Sequence, residues 1–165
     1  MWRAAGSLPG FAAVASRLTV PDRWISRVTK GRVVALGMAD SLLLTTVGRR
    51  SGQRRSSPLL YIRDGDAYVV IGSNWGKTTD PAWAHNLLAE PSAEVTVGGQ
   101  TLGVVATPAE GAERERLWQA LLVVWPAYRG YEARAGGRPL RIFRLVPARG
   151  FPRRERPDAG ARLSG

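Results

Sequence analysis

Between Thr45 and Pro58 the chain reads Thr-Thr-Val-Gly-Arg-Arg-Ser-Gly-Gln-Arg-Arg-Ser-Ser-Pro, which sets four arginines, two glycines and three serines in ten residues. Glycine lets backbone N–H groups close on an anion, and an arginine fork grips phosphate or carboxylate through two parallel hydrogen bonds. A solvated turn accounts for one or two such charges. Four that repel one another in one loop point to a bound polyanion, and both nucleic acid and an anionic cofactor answer that description. A second stretch, Gly72 to Leu87, contains Trp75, Lys77, Asp80-Pro81, Trp83 and Asn86. A loop that enters a helix N-terminus offers unpaired N–H donors. Trp83 and Asn86 lie three apart and share a helix face, as a core anchor with a polar neighbour or as the wall of a site. Trp75, between Gly72 and Gly76, is harder to assign to a core. A third stretch spaces Trp125, Tyr128 and Tyr131 three apart. That pattern fits a core stripe, or an aromatic wall over a flat ring with phenols at hand.

Other chemistries lack their residues. The chain has no cysteine and one histidine, His85, so disulfides, thiolate clusters and a cysteine nucleophile are excluded. A multi-histidine zinc site is excluded too, no metal is expected, and a serine triad would have to run through His85 alone. His85 reads as a surface or partly packed residue.

The elements that hold these segments follow from the apolar pattern of 165 residues, one domain's length, 44% apolar and 22% charged. Phe11, Val14, Ala15 and Leu18 have helical spacing, and Pro21-Asp22 opens a further segment with Trp24, Ile25 and Val28. Residues 1–40 thus form a helical, basic lead-in that covers the domain or lies on a membrane surface. From Ser41 short apolar runs alternate with turns. Strands are expected at Leu42–Val47, Leu59–Ile62, Tyr68–Ile71, Ala93–Val97, Leu102–Thr107 and Ile142–Val146, with Gly48–Ser56 as a loop. Asp80 as N-cap and Pro81 at the first helical position start a helix that runs to about Ala89. Glu110–Val124 is a second helix, its core face built from Leu117, Leu121 and Val124, and Tyr128 and Tyr131 sit in a short helix or loop. About six mainly antiparallel strands with a few flanking helices predict an α+β fold, a small mixed barrel over 41–148. A basic tail over 149–165, rich in Arg, Pro and Gly, is expected to be disordered.

The net charge of +11 is local: residues 1–58 hold ten Lys and Arg against two acids, residues 59–148 hold nine of each, and the last seventeen hold five arginines against two acids. No run approaches the roughly 20 apolar residues of a membrane span, and no apolar block ends in a cleavage signal. A cytoplasmic protein is expected, with peripheral membrane contact through residues 1–40 as the variant.

Taken together, Leu43-Leu44-Thr45-Thr46-Val47-Gly48-Arg49-Arg50-Ser51-Gly52 with Arg55 and Pro58-Leu59-Leu60-Tyr61, then Gly72-Ser73-Asn74-Trp75-Gly76, Pro81-Ala82-Trp83 with Asn86-Leu87, and Trp125-Pro126-Ala127-Tyr128 with Tyr131 resemble the deazaflavin-dependent nitroreductase family, whose members use coenzyme F420. The resemblance covers Ser41 to Pro147 in order and spacing. It implies a split β-barrel of the FMN-binding type. It implies that Arg50 and Arg55, helped by Arg49, hold the phosphate and polyglutamate tail of the cofactor. It also implies that Ser57, Pro58, Leu60, Ser73, Asn74, Ala82, Trp83 and Asn86 border the ring. Trp75 belongs to the same matched stretch. Lys77 stands in for a lysine that some members carry at the position of Asn74. Tyr128 and Tyr131 match the substrate side, as the residues nominated for catalysis, and Trp125 stands where the family can carry another tyrosine.

The function implied is hydride transfer from the reduced deazaflavin to an activated double bond, a quinone or a nitro compound, with a small apolar substrate and no nucleic acid. Three rivals remain at this point. One is an FMN oxidoreductase on the same barrel, another is a basic module for nucleic acid or an anionic membrane, and the third is a family member that binds a hydrophobic ligand or sequesters the cofactor without turnover. The chain is expected to act as a monomer or homodimer.

Overall fold

Leu42, Leu44 and Thr46 are buried while Ser41, Leu43, Thr45 and Val47 are not, and this period of two makes Ser41–Val47 a strand, β1. The computed structural model describes residues 40–150 and the backbone of a short strand at Arg154–Glu155. The lead-in expected over 1–40 and most of the tail expected over 149–165 lie outside the described residues.

The remaining elements are β2 (Arg54–Leu60), β3 (Ile62–Asp64), β4 (Ala67–Gly72), a 3₁₀ turn (Asn74–Gly76), α1 (Ala82–Ala89), β5 (Ser92–Val97), β6 (Gln100–Pro108), α2 (Gly111–Val124), α3 (Tyr128–Arg134), β7 (Arg141–Pro147) and β8 (Arg154–Glu155). All strand pairs are antiparallel, in the order β2-β1-β5-β6-β7-β4-β3, with β8 on β6. β2 and β3 stand at opposite ends of that order, yet only Tyr61 separates them in the chain. The sheet must therefore curl until its two ends meet, which makes it a half-barrel. The split barrel is thus observed, with more strands than the six expected. The single strand expected at Leu59–Ile62 is divided at Tyr61, whose N–H donates to the Asp40 carbonyl at 3.1 Å. β8 falls in a stretch expected to be irregular.

Curling gives the sheet an inside and an outside, and each has its own core. Inside, Leu42, Leu44, Val70, Val95, Phe143 and Leu145 meet Trp83, Ala84 and Leu87 of α1. Outside, Val69, Ile71 and Ile142 lie under Leu117, Trp118 and Leu121 of α2 and Tyr128 and Tyr131 of α3. β4 is covered on both faces, which is why Tyr68–Ile71 reads as an unbroken apolar run rather than as alternation, while in β7 Arg144 interrupts the apolar run. Each fully buried aliphatic side chain in these layers contributes about 1.5–3 kcal/mol. Among the described residues no helix is long and apolar enough to cross a membrane.

Candidate functional site

The arginine-rich segment is shorter as a loop than its composition suggests. β2 begins at Arg54, so Arg54, Arg55 and Ser56 belong to a strand rather than to the expected loop Gly48–Ser56. Their polar side chains carry no alternation signal, and the ladder to Thr45, Thr46 and Val47 holds them extended. The remaining turn is tight: Gly48 N–H donates to the Gln53 carbonyl at 2.7 Å, Gly52 N–H to the Gly48 carbonyl at 2.8 Å, and Gly52 has φ +68°. Arg54 is committed to an ion pair with Glu94 of β5. Arg55 reaches only the Gln53 side-chain carbonyl, at 3.3 Å, and among the described residues Arg49 and Arg50 have no carboxylate partner. Among the described residues, three exposed arginines, Arg49 and Arg50 of the turn and Arg55 at the start of β2, therefore have no carboxylate partner.

Asn86 anchors this turn from behind. Its Oδ1 accepts the Arg49 backbone N–H at 3.1 Å, and its Nδ2 donates to Thr46 Oγ1 at 3.0 Å. Asn86 is 5% exposed and Thr46 1%, so these bonds occur where an unmade one is costly. Trp83, one turn earlier on α1, is buried edge-on against Phe143, with ring centroids 5.8 Å apart. The shared face of Trp83 and Asn86 thus points into the barrel, while Ala82 is exposed at the start of the helix and His85 is half-buried.

Strand alternation sorts the ring-border candidates. Ser57 pairs with Leu44 and shares its inner face, whereas Pro58 and Leu60 pair with Leu43 and Ser41 on the outer one. Leu60 packs on the outer core, and with Trp125 and Tyr128 it lines a void of about 10 Å³, one water's worth of space. Ser57, Trp83 and Asn86 therefore lie on one side of the β1–β2 ladder, and Pro58, Leu60, Trp75, Tyr128 and Tyr131 on the other. Among the described residues β2 pairs with β1 alone, which leaves its second edge without a strand partner. Along that edge both sides can be reached.

The Gly72–Asp80 loop is held in an unusual shape. Asn74, Trp75 and Gly76 have φ of +44°, +57° and +80°, a conformation that costs a non-glycine residue energy and persists only where its surroundings enforce it. Trp75 is half-buried, 5.9 Å from the Tyr131 ring in an edge-on contact. A Cβ at Gly76 would lie 3.0 Å from the Tyr131 carbonyl oxygen. Asn74 Nδ2 donates to the Thr79 carbonyl at 2.8 Å, which commits that amide within the loop, and Lys77 is exposed. Ser73 is half-buried, and its carbonyl accepts from Gly76 N–H at 2.9 Å.

Asp80 does not cap α1. The cap position is Pro81, without a side-chain bond, and the Asp80 carboxylate accepts instead from Arg138 (2.7 Å) and Arg141 (2.9 Å). Two guanidinium donors outcompete one helix amide for an anion. The Arg138 guanidinium also donates to the carbonyls of Gly72 (3.1 Å), Ser73 (3.2 Å) and Lys77 (2.9 Å).

Tyr128 and Tyr131, nominated for catalysis, are 5% and 1% exposed and meet each other at 6.1 Å between ring centroids. Burial, and then the neighbouring Tyr131, drives the Tyr128 phenol well above its ordinary value, so it stays protonated. Burial also raises Tyr131, against opposing pulls from a Trp125 hydrogen bond and the Arg134 charge. A cleft of about 360 Å³, lined among others by Arg63, Tyr68, Gln100 and Leu102, opens at the Gly98–Gly99 end of the barrel, away from the basic turn. None of the nominated residues touches it. Among the described residues no group of His, Asp and Glu could hold a metal.

Thr46, Asp80 and Arg138 are the residues of this region that sequence reasoning missed. Asp80 was visible only as a cap, and Thr46 only as a member of the first expected strand and of the matched stretch. Arg138 offers no signal, because its partners are carbonyls 61 to 66 residues away.

Residues 19–147 match the model of a family described as F420H(2)-dependent quinone reductase. A protein of that name from Mycobacterium tuberculosis is 42% identical over 99 residues, 58% of this chain and 66% of that protein. The chain thus spans 66% of the length of the curated relatives it matches, a relative from Mycobacterium bovis included. Among solved structures, an F420-H2 dependent reductase (FDR-A) is 30% identical with a TM-score of 0.59, over 64% of this chain and 93% of that one. A second, described as a domain-swapped dimer, is 27% identical with a TM-score of 0.60, over 76% of this chain and 99% of that one.

Proposed function

The chain belongs to the F420H(2)-dependent quinone reductase family, and we propose that it is itself a reductase that uses reduced F420 to reduce a quinone or another small, activated apolar acceptor. The observation that carries this reading is that, among the described residues, the exposed Arg49 and Arg50 of the turn and Arg55 at the start of β2 have no carboxylate partner, while Arg54 beside them is neutralised by Glu94. A cofactor tail with a phosphate and several carboxylates is the complement of such a turn. FMN, with one phosphate, would leave most of that charge unmatched.

The deazaflavin, when bound, supplies the hydride, so the chain needs no nucleophile and its work is binding, orientation and exclusion of water. Arg50 and Arg55, with Arg49, hold the tail. Asn86 and Thr46 keep the turn in place from inside the barrel. Pro58 and Leu60 of one face, Ser57 of the other, and the Ser73–Lys77 loop would border the ring along the second edge of β2. Trp83 backs this wall as a rigid core element, and Ala82 adds the exposed start of α1. Tyr128 and Tyr131 close the aromatic side. As protonated phenols they can donate a hydrogen bond or a proton to a reduced product and cannot accept one as bases.

The test is direct. Protein incubated with F420 or with FMN and then desalted should retain the deazaflavin absorbance and not the flavin's. Reduced F420 should then be oxidised on addition of a simple quinone. Retention of FMN alone would move the assignment to the flavin enzymes, and retention of neither would remove it.

A further inference from the structure

The loop from Gly72 to Asp80 holds its left-handed residues in place through one side chain. Arg138 is 12% exposed, and its guanidinium donates to the carbonyls of Gly72, Ser73 and Lys77 and to one oxygen of Asp80. Arg141 takes the other oxygen. A trans peptide points its C=O and its N–H in opposite directions. Pinning the carbonyls of Ser73 and Lys77 to Arg138 therefore turns the N–H groups of Asn74 and Thr78 the other way. Among the described residues neither of these N–H groups donates to a protein acceptor. The fixed Ser73 carbonyl also seats the turn, accepting from Gly76 N–H at 2.9 Å, and Lys77, whose own carbonyl Arg138 holds, donates its N–H to the Asn74 carbonyl at 3.1 Å. Trp75 is left in a conformation that tryptophan rarely adopts, edge-on to Tyr131.

We propose that Arg138 is a positioning residue: by capturing the Ser73 and Lys77 carbonyls it presents the Asn74 and Thr78 amides, and the face of Trp75, to the bound cofactor, without touching the cofactor itself. The inference rests on the assignment of a deazaflavin to this edge. Arginine is required because three carbonyls and a carboxylate surround one group. Its planar fork serves them at once, whereas a lysine ammonium has three donors on a single atom. Asp80, shared with Arg141, fixes the direction of the fork and neutralises one of the two cations.

The experiment compares the parent with Arg138→Lys and Arg138→Met by amide hydrogen exchange without cofactor and by fluorescence titration with F420. In Arg138→Lys, exchange at Gly76 and Lys77 should quicken while the amides of the β4–β7 ladder keep their protection. F420 affinity should fall at least about tenfold, the scale of effect expected from a misplaced binding group. Arg138→Met, which keeps the stem and loses the charge, should fall further. Addition of guanidinium ion should restore part of its affinity, which a merely unfolded protein would not show. Parental affinity in Arg138→Lys overturns the proposal, as does loss of affinity with Gly76 and Lys77 exchange unchanged. If the parent itself takes up no F420, the functional assignment fails. The exchange at Gly76 and Lys77 then decides separately whether Arg138 shapes the loop.

Discussion

Asn86 and Arg49 are 37 residues apart in sequence and joined by a 3.1 Å hydrogen bond from the arginine's backbone N–H to the asparagine side-chain carbonyl. The other end of the same amide holds Thr46. One buried side chain thus ties the helix inside the barrel to the base of the turn that carries the arginines. Asn86→Ala should lower stability by ~1–3 kcal/mol, because Thr46 and the Arg49 amide lose a partner in a buried setting. It should also weaken F420 binding. Thermal melts read with a fluorescence titration check both. Weakened binding at parental stability would show that Asn86 acts on the ring and not on the turn.

The arginines divide by whether they have a partner. Arg50→Ala and Arg55→Ala should each remove a charge-assisted contact worth ~1.5–3 kcal/mol, a ten- to hundredfold loss of cofactor affinity. Arg54→Ala should change it far less, since Glu94 already engages that group. Turnover at saturating cofactor should hardly move in any of the three, because contacts to the tail are equal in ground and transition states. Deazaflavin fluorescence titrations and saturation kinetics on the three variants supply the comparison. Equal affinities for Arg50→Ala and Arg54→Ala would contradict it.

Tyr128 should leave no mark on the pH dependence of turnover below about pH 10, the ordinary tyrosine value. Burial pushes its phenol above that value, so the group stays protonated through the working range. Tyr128→Phe should lower the rate at every pH without changing the shape of the profile, and should leave cofactor affinity intact. A limb that appears in the parent profile below about pH 10 and vanishes in Tyr128→Phe would mean that the phenol titrates within the working range, against its burial.

Asp64 links three elements and should govern part of the acid response. Its carboxylate accepts from Arg116 of α2 at 2.9 and 3.1 Å and from Arg144 of β7 at 3.0 Å, and the Arg116 hydrogen bond, followed by the two positive charges, lowers its pKa below 3.8. A carboxyl depressed in the folded state contributes stability that is complete above the unfolded value and is lost as pH falls through the folded one. Asp64→Asn should melt earlier than the parent at pH 7 and lose less on acidification below about pH 4. Melting curves from pH 7 to pH 2.5 on both proteins decide it. Parallel acid slopes would exclude Asp64 as a contributor.

Two glycines with positive φ should differ when replaced. At Gly52, φ +68°, nothing lies within 4 Å of an added Cβ, so Gly52→Ala should cost only the left-handed backbone, ~1–2 kcal/mol. At Gly76, φ +80°, the Cβ would meet the Tyr131 carbonyl oxygen at 3.0 Å and its Cα at 3.1 Å. Crowding against backbone should therefore add ~1–3 kcal/mol beyond that. Chemical denaturation of the two alanine variants measures the difference.

Where the sequence was legible, one physical signal dominated. Short apolar runs between turn residues located β1, β4 and β7 to within a residue at each end, because a buried strand leaves that pattern. The start of β2 was hidden, since Arg54 to Ser57 are extended by their ladder to β1 and not by apolar burial. Trp83 and Asn86 were correctly placed on one helix face, but spacing alone does not say whether a face looks inward or outward. Asp80 misled because Asp-Pro is a common helix start, and a cap needs no distant partner to be inferred. Arg138 was illegible in principle: carbonyls have no side-chain signature, and one arginine among 22 looks like the rest.

The short helix α1 meets both segments proposed to hold the cofactor, with Asn86 bonded to the turn after β1 and Pro81 at its start against Gly72. What it grips at Arg49 is main chain, and what Arg138 grips at Ser73 and Lys77 is main chain too. Exposed side chains on these segments, such as those of Arg50 and Lys77, can therefore be exchanged without loosening the mountings. The turn and the loop behave as cartridges in a rigid frame, so each can diverge independently while the barrel beneath them stays the same.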